Sequence, residues 1–328
     1  MRNDYIEGSG YTLNKEKLIV LIGPTAVGKT KTSIELAKAF DGEIISGDSM
    51  QIYRGMDIGT AKIRHDEMEG ILHHLIDIKD PVESYSAAEF QKTVRKLITE
   101  IHARGKMPII AGGTGLYIQS VLYDYRFTET PGDEAFRERL DAESRELGHE
   151  AMHRRLADVD SEAASQIHPN NIRRVIRALE IHHTTGKTMT EYQKQQSRDL
   201  QYDVALIGLT MDRDKLYERI NLRVDMMMDD GLLPEVRSLY EDGIRGVQSV
   251  QAIGYKEIYD YLDGKVSLEE AVENLKQNSR RYAKRQLTWF RNKMDVDWFD
   301  MTASEHRDEI IADISKFIAG KLDLESNK

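Results

Sequence analysis

The chain's 328 residues, 40% of them hydrophobic, predict a globular protein of one large or two medium domains, and its net charge of −10 argues weakly against nucleic acid as a partner. The absence of cysteine excludes disulfides, a thiolate nucleophile and a cysteine-based zinc site. No apolar run reaches the roughly 18 residues of a membrane span, and residues 1–14 are polar, so we expect no membrane association, no secretory signal and a cytoplasmic protein.

The first motif is a glycine-bearing turn between a strand and a helix. The apolar run Leu18–Ile22 predicts a buried strand, and Ser33–Lys38 predicts a helix. Between them lies a segment suited to hold phosphate with backbone N–H groups at a helix N-terminus: Gly23, Pro24, Thr25, Ala26, Val27, Gly28, Lys29 and Thr30. Lys29 can reach outer phosphate oxygens, and the Thr30 hydroxyl is placed to ligate Mg²⁺. We call residues 23–30 the cradle and predict that it binds a phosphate-bearing ligand.

A second short strand, Glu43–Gly47, runs into the polar pair Asp48 and Ser49. In a parallel α/β sheet ligands lie at the carboxyl ends of strands, so this pair should emerge beside the cradle. Asp48 is then a candidate base or a ligand of a metal-bound water, although Asp and Ser in such a turn also commonly act as caps. The glycine-bearing loop Gly55–Lys62 is either a ligand-facing lid or an ordinary surface connection.

The next elements end in a second glycine turn. A capping box of Ser86 and Glu89 predicts the start of an amphipathic helix, and Pro108–Ala111 predicts a buried strand that runs into Gly112–Tyr117. This turn has no lysine, so its backbone and the Thr114 hydroxyl suit a neutral group better than phosphate. The alternative is a tight turn in which Thr114 is only a cap.

Residues 133–197 contain no convincing strand but carry apolar residues at helical spacing. We therefore predict an α/β core formed by residues 1–126 and 200–328, interrupted by an all-helical insertion at 127–199. The helix that begins near Asn171 carries Arg173, Arg174 and Arg177 on a polar face, where they either bind a ligand or are merely solvated.

In the helix that follows the next strand, Arg223 falls at the margin of an apolar face. A charge there needs an anion, supplied by a carboxylate or by a ligand phosphate. Arg223 is therefore a candidate clamp for diphosphate, while Arg219 lies further out and is expected to face water.

A long helix near the C-terminus, predicted to begin at a capping box of Ser267 and Glu270, carries a basic stripe. Between residues 274 and 294 no residue is acidic, and the basic ones are Lys276, Arg280, Arg281, Lys284, Arg285, Arg291 and Lys293. Such a run can meet a polyanion. Together the elements predict an α/β fold, a P-loop NTPase-like parallel sheet flanked by helices.

Residues 23–30, 45–53, 56–62, 112–117, 168–180 and 283–289 form an ordered set that resembles bacterial tRNA dimethylallyltransferases, the isopentenyl transferases that modify the adenosine next to the anticodon. Only the first of these motifs is widely shared among P-loop proteins, whereas the ordered set is specific. The absence of cysteine fits a bacterial form, since the larger eukaryotic relatives append a zinc-finger segment.

The resemblance implies transfer of a dimethylallyl group from dimethylallyl diphosphate, which the cradle would hold. The acceptor would be N6 of adenosine 37, the nucleotide 3′-adjacent to the anticodon. The tRNAs modified would be those that read codons beginning with U. Lys29, Thr30 with Mg²⁺, and Arg223 would stabilise the departing diphosphate. Asp48 resembles the family's general base, and Thr114 the hydroxyl that helps place the adenine amine.

The resemblance also implies which residues meet tRNA. They are Asp48, Ser49, Met50, Gln51, Thr114, Arg173, Arg174, Arg177, Gly254, Lys284 and Arg285. The insertion and the basic helix would form two sides of a clasp on the anticodon stem-loop. No protein partner is required in this interpretation, and we expect a monomer.

Two alternatives remain open at this point. A P-loop kinase that passes a phosphoryl group from ATP to a small metabolite would share the cradle and Mg²⁺ but would give the basic helix of the insertion no role. A nucleotide-gated RNA-binding module without covalent chemistry would bind RNA whether or not a single carboxylate were present.

Overall fold

The computed structural model describes residues 15–127 and 132–325. The chain forms two compact units, one comprising the chain up to Leu122 and from Leu200 onward, the other Tyr123–Asp199. The second unit covers nearly the same residues as the predicted insertion. The polar segment 1–14 and residues 128–131 of the predicted insertion lie outside the described residues.

The first unit is built on a six-stranded parallel sheet, which confirms the predicted α/β class. Its strands are β1 (Lys17–Ile22), β2 (Gly42–Gly47), β3 (His73–His74), β4 (Met107–Gly112), β5 (Asp203–Thr210) and β6 (Asp297–Asp300). They are ordered β3-β2-β4-β1-β5-β6. Because β1 lies inside a parallel sheet, it is buried along Leu18–Ile22 and is an unbroken apolar run in the sequence.

The helices follow in chain order, and α4 to α8 belong to the second unit. They are α1 (Lys29–Ala39), α2 (Ala87–Ala103), α3 (Gly115–Leu122), α4 (Glu134–Leu147), α5 (His149–Val159), α6 (Ser161–Gln166), α7 (Ile172–Thr185), α8 (Met189–Lys194), α9 (Arg213–Asp229), α10 (Leu232–Glu241), α11 (Tyr255–Leu262), α12 (Leu268–Lys293) and α13 (Arg307–Leu322). In the described part of the chain, no helix combines the length and the apolarity that crossing a bilayer requires.

Side-chain caps start two of these helices where the sequence predicts. Ser86 accepts a hydrogen bond from the N–H of Glu89, whose carboxylate accepts one from the N–H of Ser86, so α2 begins with the predicted capping box. At the start of α12, Ser267 accepts a hydrogen bond from the N–H of Glu270, which is one half of the predicted capping box. Both side chains satisfy N–H groups that a helix leaves unpaired at its first turn.

The strand order positions the site. In the sheet β4 lies between β2 and β1, and the three strands are parallel. The turns that follow them therefore leave the same edge of the sheet. Asp48 follows β2, the second glycine turn follows β4, and the cradle follows β1.

The second unit has a core of its own, to which Phe136, Leu140 and Val175 contribute. Within it the fully buried carboxylate of Glu180 accepts hydrogen bonds from Arg137 Nε at 2.7 Å and Arg177 Nη1 at 2.6 Å. A buried carboxylate needs such partners, so this cluster ties α4 to α7.

Candidate active site

The cradle turns sharply between β1 and α1. Gly23 has φ 153° and Gly28 has φ 110°, values that side-chain-bearing residues rarely adopt. A Cβ on Gly23 would also lie 2.7 Å from the carbonyl oxygen of Leu209 on the neighbouring strand β5. The turn therefore brings its backbone to the N-terminus of α1, as an anion site requires.

The ammonium group of Lys29 lies inside this turn. Its Nζ donates to the carbonyl oxygens of Gly23 at 3.0 Å and Pro24 at 2.8 Å. Burial, together with the nearby charge of Arg223, lowers the pKa of Lys29 to about 7, while the charge of Asp48 acts in the opposite direction. The cation is thus held in a poorly solvated place where an anion would stabilise it.

Arg223 reaches the cradle from α9. Its Nη1 lies 3.5 Å from the hydroxyl oxygen of Thr25, so it faces the cradle, which the sequence alone left undecided between a ligand phosphate and a buried carboxylate. Burial and, to a smaller extent, the charge of Arg219 lower the pKa of Arg223. Arg219 is exposed, as expected, yet it lines the same cavity as Lys29, which the sequence did not indicate.

Asp48 lies directly after β2. Its Oδ1 accepts hydrogen bonds from the N–H groups of Met50 at 2.8 Å and Gln51 at 3.3 Å. Burial raises the pKa of Asp48, while these two hydrogen bonds and the charge of Lys29 oppose that shift. A carboxylate whose pKa is raised above its ordinary value is a better proton acceptor, as a general base requires.

Two adjoining cavities meet at Asp48. We call the one that contains Lys29 and Thr30, of about 300 Å³, the cradle cavity. The other, of about 330 Å³, we call the apolar cavity, because Ile220, Val224 and Leu275 contribute to its wall. The residues that line both are Thr25, Asp48, Thr60, Ala61, Arg223 and Tyr282. The candidate base and the candidate clamp therefore stand where an anion site adjoins a hydrophobic one.

The second glycine turn is packed against α12. A Cβ on Gly113 would lie 2.1 Å from Gln286 Nε2, and one on Gly115 would lie 2.2 Å from Trp289 Cδ1. The Thr114 hydroxyl oxygen accepts a hydrogen bond from the N–H of Ser49 at 3.2 Å and donates to Ser49 Oγ at 3.4 Å. Thr114 lines neither cavity. Its hydrogen bonds to Ser49 stabilise the segment that follows Asp48.

Gln286, to which the sequence analysis gave no role, connects the two turns. Its Oε1 accepts a hydrogen bond from the N–H of Thr25 at 2.9 Å, and its Nε2 donates to the carbonyl oxygen of Gly113 at 3.1 Å. The side chain is buried. Its burial could have been predicted from its spacing, because Gln286 lies three residues after Ala283 and four before Phe290, on the buried face of α12.

The three residues after Asp48 differ in what their side chains face. Ser49 and Met50, which the resemblance assigns to tRNA binding, line the apolar cavity. Gln51 lines the cradle cavity instead, and its amide is committed internally. Its Oε1 accepts a hydrogen bond from Ser46, and its Nε2 donates to two carbonyl oxygens, those of Thr60 and Ala61.

The predicted tRNA-binding residues of α11 and α12 lie in the first unit. Lys284 and Arg285 are exposed on α12, and Arg285 also lines the apolar cavity, with its guanidinium 5.7 Å from the centre of the Tyr282 ring. Gly254, with φ 102°, forms the turn before α11 and lines neither cavity.

The three predicted tRNA-binding arginines of α7, in the second unit, differ in their surroundings. Arg173 and Arg174 are exposed, whereas Arg177 is paired with the buried Glu180. Arg177 therefore has a structural partner that the sequence analysis did not anticipate.

The described residues contain no group of three or more His, Asp or Glu side chains that could hold a metal ion by itself. The Thr30 hydroxyl and the Asp48 carboxylate do line the same cavity. This oxygen donor set fits Mg²⁺, which commonly uses few protein ligands and completes its coordination with phosphate oxygens and water.

Comparison with known proteins finds relatives along nearly the whole chain. The family model for IPP transferase matches residues 51–293. A tRNA dimethylallyltransferase of Bacillus cereus (strain Q1) is 64% identical over 315 residues, covering 96% of this chain and 98% of the relative. One of Geobacillus thermodenitrificans (strain NG80-2) is 63% identical over 312 residues, covering 95% and 99%.

Solved structures are similar as well. The full-length tRNA isopentenylpyrophosphate transferase of Bacillus halodurans matches with a TM-score of 0.72 and 58% identity, covering 94% of this chain and 97% of that one. A eukaryotic dimethylallyltransferase seen in crystallographic snapshots acting on tRNA matches with a TM-score of 0.79 and 32% identity, covering 95% of this chain and 81% of that one.

Proposed function

The chain belongs to the IPP transferase family, and from that premise we infer that it is a tRNA dimethylallyltransferase. It is an enzyme that transfers a prenyl group, and its macromolecular substrate is tRNA. The acceptor is N6 of adenosine 37, 3′-adjacent to the anticodon, in tRNAs that read codons beginning with U. The donor is dimethylallyl diphosphate, and diphosphate is released.

The observation that carries this proposal is the position of Asp48 on the wall shared by the two cavities. The cradle cavity offers cationic groups to a diphosphate, and the apolar cavity offers hydrophobic side chains to the dimethylallyl tail and to a base that has left its stack. A bond between the carbon of one substrate and the nitrogen of the other forms where the two cavities meet.

In the transfer step the N6 amine attacks the allylic carbon that bears the diphosphate. The carbon–oxygen bond breaks, and its electron pair leaves with the diphosphate. The proton released from nitrogen goes to the carboxylate of Asp48, whose pKa is raised by burial. Ser49 and Met50 contact the base in the apolar cavity, and Thr114 acts on the amine through its hydrogen bonds to Ser49.

The cradle stabilises the charge that develops on the leaving group. Lys29 and Arg223 supply positive charge from two sides, and the backbone of residues 23–28 supplies N–H donors at the start of α1. Thr30 would hold Mg²⁺, which would supply charge neutralisation to the diphosphate.

The tRNA surface includes the exposed basic residues on each unit. Arg173 and Arg174 of α7, and Lys284 and Arg285 of α12, contact phosphates or splayed bases of the anticodon stem-loop. Arg177 contributes less, because Glu180 holds its guanidinium. Gly254 contributes through the turn that carries its neighbours Ala252 and Ile253 into the apolar cavity.

We propose that the enzyme acts as a monomer and needs no protein partner. Because the substrate is tRNA, we propose that the reaction takes place in the cytoplasm. The kinase alternative is not favoured, because the relatives that match nearly the whole chain are named tRNA dimethylallyltransferases. The same finding disfavours a binding module without chemistry.

One experiment separates these functions. The protein is incubated with Mg²⁺, undermodified tRNA and either dimethylallyl diphosphate or ATP, and the nucleosides are analysed by mass spectrometry. We expect adenosine to gain a five-carbon group only with the allylic donor. No gain with either donor would refute the proposal.

A further inference from the structure

The loop Asp57–Ala61, which we call the wall loop, borders both cavities. Thr60 and Ala61 line both of them, and Gly59 lines the apolar cavity. The sequence predicts either a lid or a surface connection here. The hydrogen bonds of the loop indicate neither, because the loop is held from two sides.

A single carboxylate holds the outer side of the wall loop. Glu235, on α10, accepts hydrogen bonds at Oε2 from the N–H groups of Asp57 at 3.0 Å and Ile58 at 2.8 Å. Its Oε1 accepts from the N–H of Gly59 at 3.1 Å and from the hydroxyl of Tyr255 at 2.5 Å. Such charge-assisted bonds are stronger than bonds between neutral groups, so three consecutive loop N–H groups are fixed to α10.

On its inner side the wall loop reaches the candidate base. The carbonyl oxygens of Thr60 and Ala61 each accept from Gln51 Nε2 at 3.3 Å. The N–H of Gln51 in turn donates to Asp48 Oδ1 at 3.3 Å. Three sets of hydrogen bonds, connected by the backbone of the wall loop and by the side chain of Gln51, therefore link Glu235 to Asp48.

The packing leaves the loop little freedom to move. A Cβ on Gly59 would lie 2.5 Å from Cε2 of the Tyr255 ring, so loop backbone and ring are in close contact. Next to the loop, the buried ammonium of Lys62 contacts the carboxylates of Asp57 and Asp77 at 2.5 Å each. The wall loop is thus fixed at its start, along its length and at its end.

We propose that Glu235 is a positioning residue for the transfer reaction, which holds the wall loop so that Gln51 keeps Asp48 directed at the acceptor amine. The inference rests on the proposed function. Glu235 itself lines neither cavity. Its effect on the rate is therefore indirect, through the geometry of Asp48, and a misplacement of about 1 Å at a reacting group can lower a rate by about 10²-fold.

The test compares Glu235→Gln with Glu241→Gln, which changes an exposed residue at the end of the same helix. Glu235→Gln keeps the shape of the side chain but turns one accepting oxygen into an NH₂ group. Whichever oxygen is replaced, at least one loop N–H loses its acceptor. We expect kcat to fall by about tenfold to 10²-fold with KM for tRNA within about twofold of the parent, and Glu241→Gln to match the parent.

Hydrogen exchange supplies a readout that does not depend on activity. Amides 57–59 should exchange faster in Glu235→Gln than in the parent, and at the parent's rate in Glu241→Gln. Both variants should have melting temperatures close to that of the parent. Equal exchange in all three proteins would overturn the attachment of the loop to Glu235. Faster exchange with an unchanged kcat, or a kcat loss explained entirely by a smaller folded fraction, would overturn its role in positioning Asp48. Absence of transfer by the parent would instead refute the proposed function, and exchange would still decide whether Glu235 holds the loop.

Discussion

The two glycine turns have the same pattern in sequence, a buried strand followed by glycines and a helix, but they need their glycines for different reasons. In the cradle, Gly23 and Gly28 adopt positive φ angles that shape an anion site. In the second turn, Gly113 and Gly115 make room for Gln286 and Trp289 of α12. The first turn is the one proposed to hold the ligand, whereas the second packs against α12 while Gly112 and Gly113 also border the cradle cavity, and Gln286 joins the two turns.

Asp48, which lies next to the second turn, is the candidate general base, and its substitution should have the largest effect on the rate. Asp48→Ala should lower kcat by about 10²- to 10⁴-fold, the range of a general base, and leave tRNA affinity largely intact. Transfer is measured with radiolabelled donor and affinity by filter binding. An unchanged transfer rate would remove Asp48 as the base.

The cradle should respond to a change of charge with a loss of rate and little loss of stability. Lys29→Ala removes a donor from the leaving group, so we expect kcat to fall by about 10²- to 10³-fold. Thermal melting should stay close to that of the parent. Lys316→Ala, on the exposed side of α13, is the matched control. Equal kcat values in the two variants would show that the diphosphate does not bind beside Lys29.

The second turn should respond in the opposite way. Gly113→Ala places a methyl group against Gln286 Nε2, and overpacking of this kind costs about 1–3 kcal/mol of the free energy of unfolding. Urea denaturation measures the loss. Gly320→Ala is the control, because it lies in α13 with no atom near the added methyl group, and it should stabilise by about 0.5–1 kcal/mol. A neutral Gly113→Ala would contradict the packing role.

The cradle also predicts a pH dependence that the second turn lacks. The pKa of Lys29 is lowered to about 7, so its cation is present below that pH and is lost as the pH rises through it. Affinity for diphosphate should therefore fall by up to about tenfold for each pH unit above 7. In Lys29→Arg, whose guanidinium keeps its proton, this decrease should disappear. Calorimetric titration with diphosphate compares the two proteins, and identical profiles would exclude Lys29 as the titrating group.

The smallest effect is expected on the exposed face of α12, which belongs to neither turn. Lys284→Ala with Arg285→Ala should weaken tRNA binding and reduce the slope of log K against log salt by about 1–2, since each basic residue releases about one counterion. Affinity for diphosphate should be unchanged. Equal salt slopes in mutant and parent would show that tRNA does not contact Lys284 and Arg285.

Periodicity and motif spacing are enough to predict the sheet, the cradle and the position of Arg223, because each depends on local pattern. Arg223 sits beside Ile220 and Val224 on a helix, and an arginine there has to find an anion. Its contact with Thr25 depends on how α9 packs, which one sequence does not encode in any local signal.

The sequence is least informative about side chains whose partners are distant along the chain. The resemblance assigns Gln51 to tRNA binding, whereas its amide donates hydrogen bonds to carbonyl oxygens of a loop about ten residues later. Gln286 stands in a basic stretch, and its burial follows only from the face it occupies. Glu235 lies 176 residues from Gly59, so nothing local connects the two.

The hydrogen bonds of Gln286 also restrict how α12 can vary in length. Each inserted residue rotates the remainder of the helix by about 100°, so a single insertion between Ser267 and Gln286 would turn this side chain away from both Thr25 and Gly113. The buried carbonyl of Gly113 and the partly buried N–H of Thr25 would then lack their partner, and a buried polar group without a partner costs about 1–3 kcal/mol. Insertions and deletions in this helix are therefore compatible with an intact cradle only on the C-terminal side of Gln286.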